Sequence, residues 1–158
     1  DDGFKSISNG DFTFQWQADT TANTLTVRIS NPTTGWLACG FSEGYTGAPM
    51  MNSNIIIGYV DDESGAVAIL DHNSFGMSSG HTQDAQDDIT IIAEDSYQNE
   101  SGTHLSFTFP LDSGDSNDLI LEANQTYDLL LAAGPNGSDN TSDMHAGSQR
   151  VRISGFSL

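Results

Sequence analysis

Two methionines, Met50 and Met51, open the run "NSNIIIGYV" from a stretch otherwise made of Gly, Ala, Pro, Asn and Ser. A further pair, Met144-His145, lies near the end of the chain inside "PNGSDNTSDMHAGSQ". A thioether sulfur and an imidazole nitrogen together form an axial pair for haem iron, suited to electron transfer. The chain has one cysteine, so no Cys-Xaa-Xaa-Cys-His attachment motif exists and such a haem would be held without a covalent bond. On residue type alone, two plainer readings stand beside this one. A methionine at a strand end fills core gaps, and a loop histidine makes hydrogen bonds.

Other chemistries find less to build on. The four histidines are His72, His81, His104 and His145, set among 22 acids and many serines, so any Ser/His/Asp triad is easily drawn and proves little. No Gly-Xaa-Ser-Xaa-Gly elbow is present. A glycosidase pair of carboxylates is just as easily invented. "DSGDSND", Asp112 to Asp118, carries part of the acid spacing of a calcium loop, but it lacks the full ligand pattern and closing Glu of an EF-hand. A polar turn between strands is the better reading. His72 and His81 flank a polar stretch at a spacing that suits no helix-borne metal pair, which leaves little support for a zinc site with Asp. His104 faces away from Leu105, Phe107 and Phe109 and reads as a surface residue. Cys39, in "WLACGF", reads as a small buried hydrophobe.

The elements that must position these residues repeat with period two. Phe12, Phe14 and Trp16 share one face of "DFTFQWQA", and Leu25, Val27 and Ile29 share one face of "NTLTVRIS". "ADTTAN" supplies the hairpin turn between them, and Pro32 stops the second strand. "WLACGF", "SNIIIGYV" and "AVAILDH" follow as strands, the second continuous enough in Ile to be central. A long loop is expected over residues 73–88. "DITIIAEDSY", "THLSFTFPL", "TYDLLLAAG" and "RVRISGF" complete about nine strands, with no convincing helix. This pattern predicts an all-β, immunoglobulin-like antiparallel β-sandwich, with residues 1–158 as one domain.

The charge limits the partners. Against 22 acids stand only Lys5, Arg28, Arg150 and Arg152, for a net charge of -18. Nothing here could neutralise nucleic-acid phosphates, and an anionic membrane surface would repel the chain. No stretch reaches transmembrane length, so direct membrane insertion is not expected. A redox partner with a basic docking surface remains compatible. The oligomeric state is not legible. Sequons at Asn99, Asn124, Asn136 and Asn140, and a start at Asp1 without an initiator Met, favour an extracytoplasmic setting, extracellular or at the cell surface.

The order of segments is similar to that of the DOMON family. Gly35-Trp36, Gly40-Phe41-Ser42, Met50, Ser53-Asn54, Ile55 to Ile57 and Gly58 follow the family's Gly-Trp strand, its Met and its β-branched run. "PLDSGDSND" from Pro110 to Asp118 resembles the family's Pro-Leu-Asp-Thr-Gly-Asp segment, and His145, Gly147, Arg150 and Phe156 resemble its closing pattern. The resemblance spans roughly Phe12 to Phe156. It implies an immunoglobulin-like sandwich and, in the branch that includes the cytochrome domain of cellobiose dehydrogenase, a b-type haem held between a Met and a His. On that basis Met50 and His145 are the expected iron ligands, with Met51 one place out of register. Arg150 is the expected partner of a propionate, and Trp36, Phe41 and Tyr59 are candidates to line the pocket. The implied role is single-electron transfer rather than catalysis, alone or within a larger redox enzyme. Haem-free relatives imply the alternative of a carbohydrate or small-ligand binding module, with Tyr45 or Tyr97 as exposed aromatics.

Overall fold

The structure is a computed structural model that describes residues 3–44, 50–77, 79–145 and 149–158. Its strands form two sheets in which every pairing is antiparallel. The first sheet holds β1 (Lys5–Asn9), β2 (Phe12–Asp19), β3 (Thr24–Asn31), β8 (Thr90–Ile91), β9 (Tyr97–Asn99) and β10 (Gly102–Pro110), in the order β1-β2-β3-β10-β8 with β9 also on β10. The second runs β12-β11-β4-β5-β6-β7, from β4 (Leu37–Ser42), β5 (Ser53–Val60), β6 (Val67–Asn73), β7 (Thr82–Gln83), β11 (Tyr127–Ala133) and β12 (Arg150–Phe156).

Alternation builds the space between the sheets. β3 alternates half-buried and buried residues along its whole length, the signature of a strand with one wet face. Phe14, Val27 and Phe107 from the first sheet meet Cys39, Phe41, Ile56 and Leu131 from the second in one core. The phenolic oxygen of Tyr127, at the start of β11, accepts from the Glu122 amide at 2.7 Å and donates to the Ile120 carbonyl at 3.1 Å. Such a tyrosine corner pins the entry to a strand in immunoglobulin-like sandwiches.

Where about nine strands were expected, the described residues hold twelve. β1 and the two-residue β7 are additional; β7 falls inside the expected 73–88 loop. "DITIIAEDSY" is not one strand. It divides into β8, a 3-10 turn at Ala93–Asp95 and β9. The cause is Ser96, whose hydroxyl accepts from the Ser106 amide at 2.9 Å and lies 2.9 Å from the Ile92 carbonyl it donates to. A side chain thus takes the place of a ladder bond and lets the backbone turn.

Candidate functional site

β4 and β5 break the alternation. All six residues of β4 are buried, as are all of β5 except Tyr59. Leu37, Cys39 and Phe41 face the inter-sheet core, while Ala38 and Gly40 face the other way, level with Ile55 and Ile57 of β5. Leu130 and Ala132 of β11 extend that second apolar face. An antiparallel sheet at the side of a sandwich ordinarily turns a polar face to water. This one presents aliphatic side chains to a cavity of about 270 Å³.

Met50 and His145 both line that cavity, with Ala38, Gly40, Ile55, Leu130, Ala132, Arg150 and Arg152. Met51, half-buried, does not line it. The backbone just before β5 positions Met50. Asn52 adopts φ 53°, a left-handed conformation that Asn tolerates well, and turns the chain into the strand. Ser74, fully buried just after β6, donates its hydroxyl to the Met50 carbonyl and accepts from the Ser53 amide at 2.9 Å.

His145 is placed by Trp36, whose ring meets the imidazole edge-on with centroids 6.3 Å apart. Trp36 is in turn tied to the segment that follows β11. Its amide donates to the Ser138 carbonyl at 3.0 Å, and its carbonyl accepts from the Gly134 amide at 2.7 Å. Within that segment Ser138 donates to Asp143 at 2.6 Å, and Asn140 donates to Asp143 at 3.0 Å. These short-range bonds fold a polar, Asn- and Asp-rich sequence back over the sheet, as such residues do in turns.

The remaining expected residues divide. Arg150 lies on the cavity lining. Its neighbour on the same face, Arg152, donates through Nε to Asp128 at 2.8 Å and pairs with it again through Nη2. Trp36 and Tyr59 sit on the apolar face but in a cluster with Ile57 and Leu70, beside the cavity rather than on its lining. Phe41 is a correction. Period two turns it into the inter-sheet core against Phe14, Phe109 and Phe156, so it does not line the cavity. Tyr45 and Gly147 lie outside the described residues.

His72 and His81, expected to flank a polar stretch, meet in the fold. Their Nδ1 atoms are 2.8 Å apart, so one ring donates to the other. Burial, and then the charge of His81, lowers His72 to about 4. Burial, and then His145, lowers His81. Three imidazoles therefore gather on the outer side of the second sheet, where burial favours the neutral form of His72 and His81. The available signal was register: His72 pairs with Ile55, a residue of the cavity wall.

No curated protein matches the sequence. Among solved structures, the fold is similar to the cytochrome b domain of pyranose dehydrogenase from Coprinopsis cinerea. The TM-score is 0.67 at 12% identity, over 96% of this chain and 81% of that one. At that identity the likeness concerns the fold. A family model described as DOMON domain matches residues 8–134, which include Met50 and stop short of His145. With most of its length matched in this way, and with the sandwich in place, the chain belongs to the DOMON family.

Proposed function

We propose that this chain is an extracytoplasmic electron-transfer module that holds a b-type haem, without a covalent bond, between Met50 and His145. One observation carries the reading: a thioether and an imidazole from distant parts of the chain line the same apolar cavity. The donor set suits haem iron, and Met as a ligand raises the potential. The floor suits a flat apolar ring. A Cβ at Gly40 would stand 3.3 Å from Ile55 and 3.5 Å from Leu130, so the missing side chain widens the space between them. When bound, the haem would supply a one-electron carrier.

The chain's own residues would do the rest. Ala38, Ile55, Leu130 and Ala132 exclude water. Ser74 holds the Met50 backbone, and Trp36 holds the ring of His145. Arg150, for which no carboxylate partner occurs among the described residues, suits a propionate by bidentate pairing. Two side-chain ligands leave no position for a substrate, which favours electron transfer over catalysis. The charge of -18 suits a basic redox partner, with association that slows as salt rises. No helix among the described residues is long and apolar enough to cross a membrane.

The test is the visible spectrum of protein produced with ample haem, oxidised and then reduced with dithionite. A sharp low-spin spectrum with a reduced α band is expected. It should be lost in Met50→Ala and His145→Ala and kept in Met51→Ala. A folded, colourless protein that takes up no haem overturns the reading, as does an unchanged spectrum in His145→Ala.

The first sheet favours a second reading, a haem-free module that binds carbohydrate. Tyr97 is 44% exposed and stacks on His104 at 4.5 Å, beside a polar cleft lined by Thr13, Gln15, Arg28 and Asp95. A glycan screen with Tyr97→Ala as control separates the two readings.

A further inference from the structure

Three acids from separate segments, the strand β6, the expected 73–88 loop and the polar turn Asp112 to Asp118, converge in space. Asp71 lies on β6 and points to the inner side of the second sheet, opposite Leu70 and His72. It is 3% exposed, and its Oδ1 is buried without a hydrogen-bond partner. Asp88 comes from the connection before β8, and Asp118 from the turn after β10. Each of the three offers an oxygen within 4.8 Å of the others, and Oδ1 of Asp118 is also buried and unpartnered. Neighbouring side chains hold the carboxylates in place. Ser113 donates to Oδ2 of Asp118 at 2.5 Å, and Gln86 donates to Oδ2 of Asp88 at 2.9 Å.

Among the described residues, no Lys or Arg contributes to the charge balance of Asp71 or Asp118. Arg28 pairs with Asp95, Arg152 pairs with Asp128, Lys5 donates to the Leu158 carbonyl and Arg150 lines the cavity. Burial, then Asp118 and Asp84, pushes Asp71 up to about 8, and burial raises Asp118. The backbone hydrogen bond at Asp88 offsets this only in part, and an ionised carboxylate buried here without a counter-charge, with two more at this range, is costly. Asp71 therefore keeps its proton near neutral pH unless positive charge sits at the centre of the cluster, and a cation bound there would displace that proton.

We propose that Asp71, Asp88 and Asp118 bind a calcium ion that staples β6 of the second sheet to the segments flanking β8 and β10 of the first. The donors are all oxygen, which suits a hard cation, and no His or Cys is among them to favour zinc. Calcium accepts the irregular coordination that three separate segments supply, whereas magnesium demands a near-octahedral shell. The inference rests on these acids alone, so it stands or falls independently of Met50, His145 and haem.

The test is thermal unfolding of the full chain after EDTA treatment, in calcium chloride, magnesium chloride and sodium chloride at matched ionic strength. Calcium should raise Tm by roughly 5–10 °C at about a hundredfold excess over Kd, and magnesium should raise it less. Asp71→Asn and Asp118→Asn should lose that response, while the exposed-site control Glu63→Gln keeps it. In EDTA near neutral pH, Asp71→Asn should melt above the wild type, because a neutral amide escapes the cost of protonating a carboxyl on folding. Equal shifts in all three salts would mean general screening of the acidic surface and would overturn the proposal. So would a wild-type response in Asp71→Asn. Should the variants fail to fold, equilibrium dialysis of the wild type decides: one calcium retained per chain supports the site, and none retained at millimolar calcium refutes it.

Discussion

A methyl group on Gly134 would stand 2.5 Å from Cδ1 and Nε1 of Trp36. That glycine has no left-handed backbone to accommodate, so its reason is steric: it lets the indole lie flat against β11 and reach the ring of His145. Gly134→Ala should therefore cost about 1–3 kcal/mol, as overpacking typically does, measured by chemical denaturation. In haem-loaded protein it should also perturb the His145 side of the spectrum while leaving Met50 in place. At this scale the sequence was partly legible. Met50 and His145 were visible as candidate donors because a Met is uncommon in a polar loop and because both hold positions of the DOMON pattern. Phe41 was misplaced because motif position says nothing about which face a side chain takes, and one residue of register decides it. Asp71 passed unnoticed for a related reason. Among 22 acids only its inward orientation distinguishes it, and that is a property of β6 in the sheet.

At the scale of the element, β2, β3 and β10 are legible as strands because each has one dry and one wet face. β5 is legible as central because its Ile run satisfies two dry faces at once. β1 is not legible, since only Ile7 of its five residues is even half-buried. The break between β8 and β9 is hidden as well, because a serine hydroxyl standing in for a backbone group leaves no mark in hydropathy. Its importance can be measured. Ser96→Ala should strand the Ser106 amide in a buried setting and cost about 1–3 kcal/mol, seen as a lower urea midpoint with an unchanged slope. A variant as stable as the wild type would mean that the amide finds another acceptor.

Across the whole molecule, three layers follow from two sheets. The inter-sheet core unites them, and polar connections fold over the outer face of the second. Within that arrangement β4 and β5 are bonded to neighbours on both edges and buried on both faces, whereas β1, β7 and β8 are short and lie at the margins. Protection from hydrogen exchange should follow the same order. Amides of β4 and β5 should exchange only when the entire chain opens, and those of β1, β7 and β8 long before, as exchange followed by mass spectrometry would show. The cavity floor, Ala38, Gly40 and Ile55, belongs to the slowest group. Met50 and His145 instead belong to connections between strands. On the proposed function, loading and release of haem would draw mainly on these connections, over a seat built by the sheet itself. The entropy of ordering that seat is spent during folding rather than at binding, which is the advantage of a preorganised host.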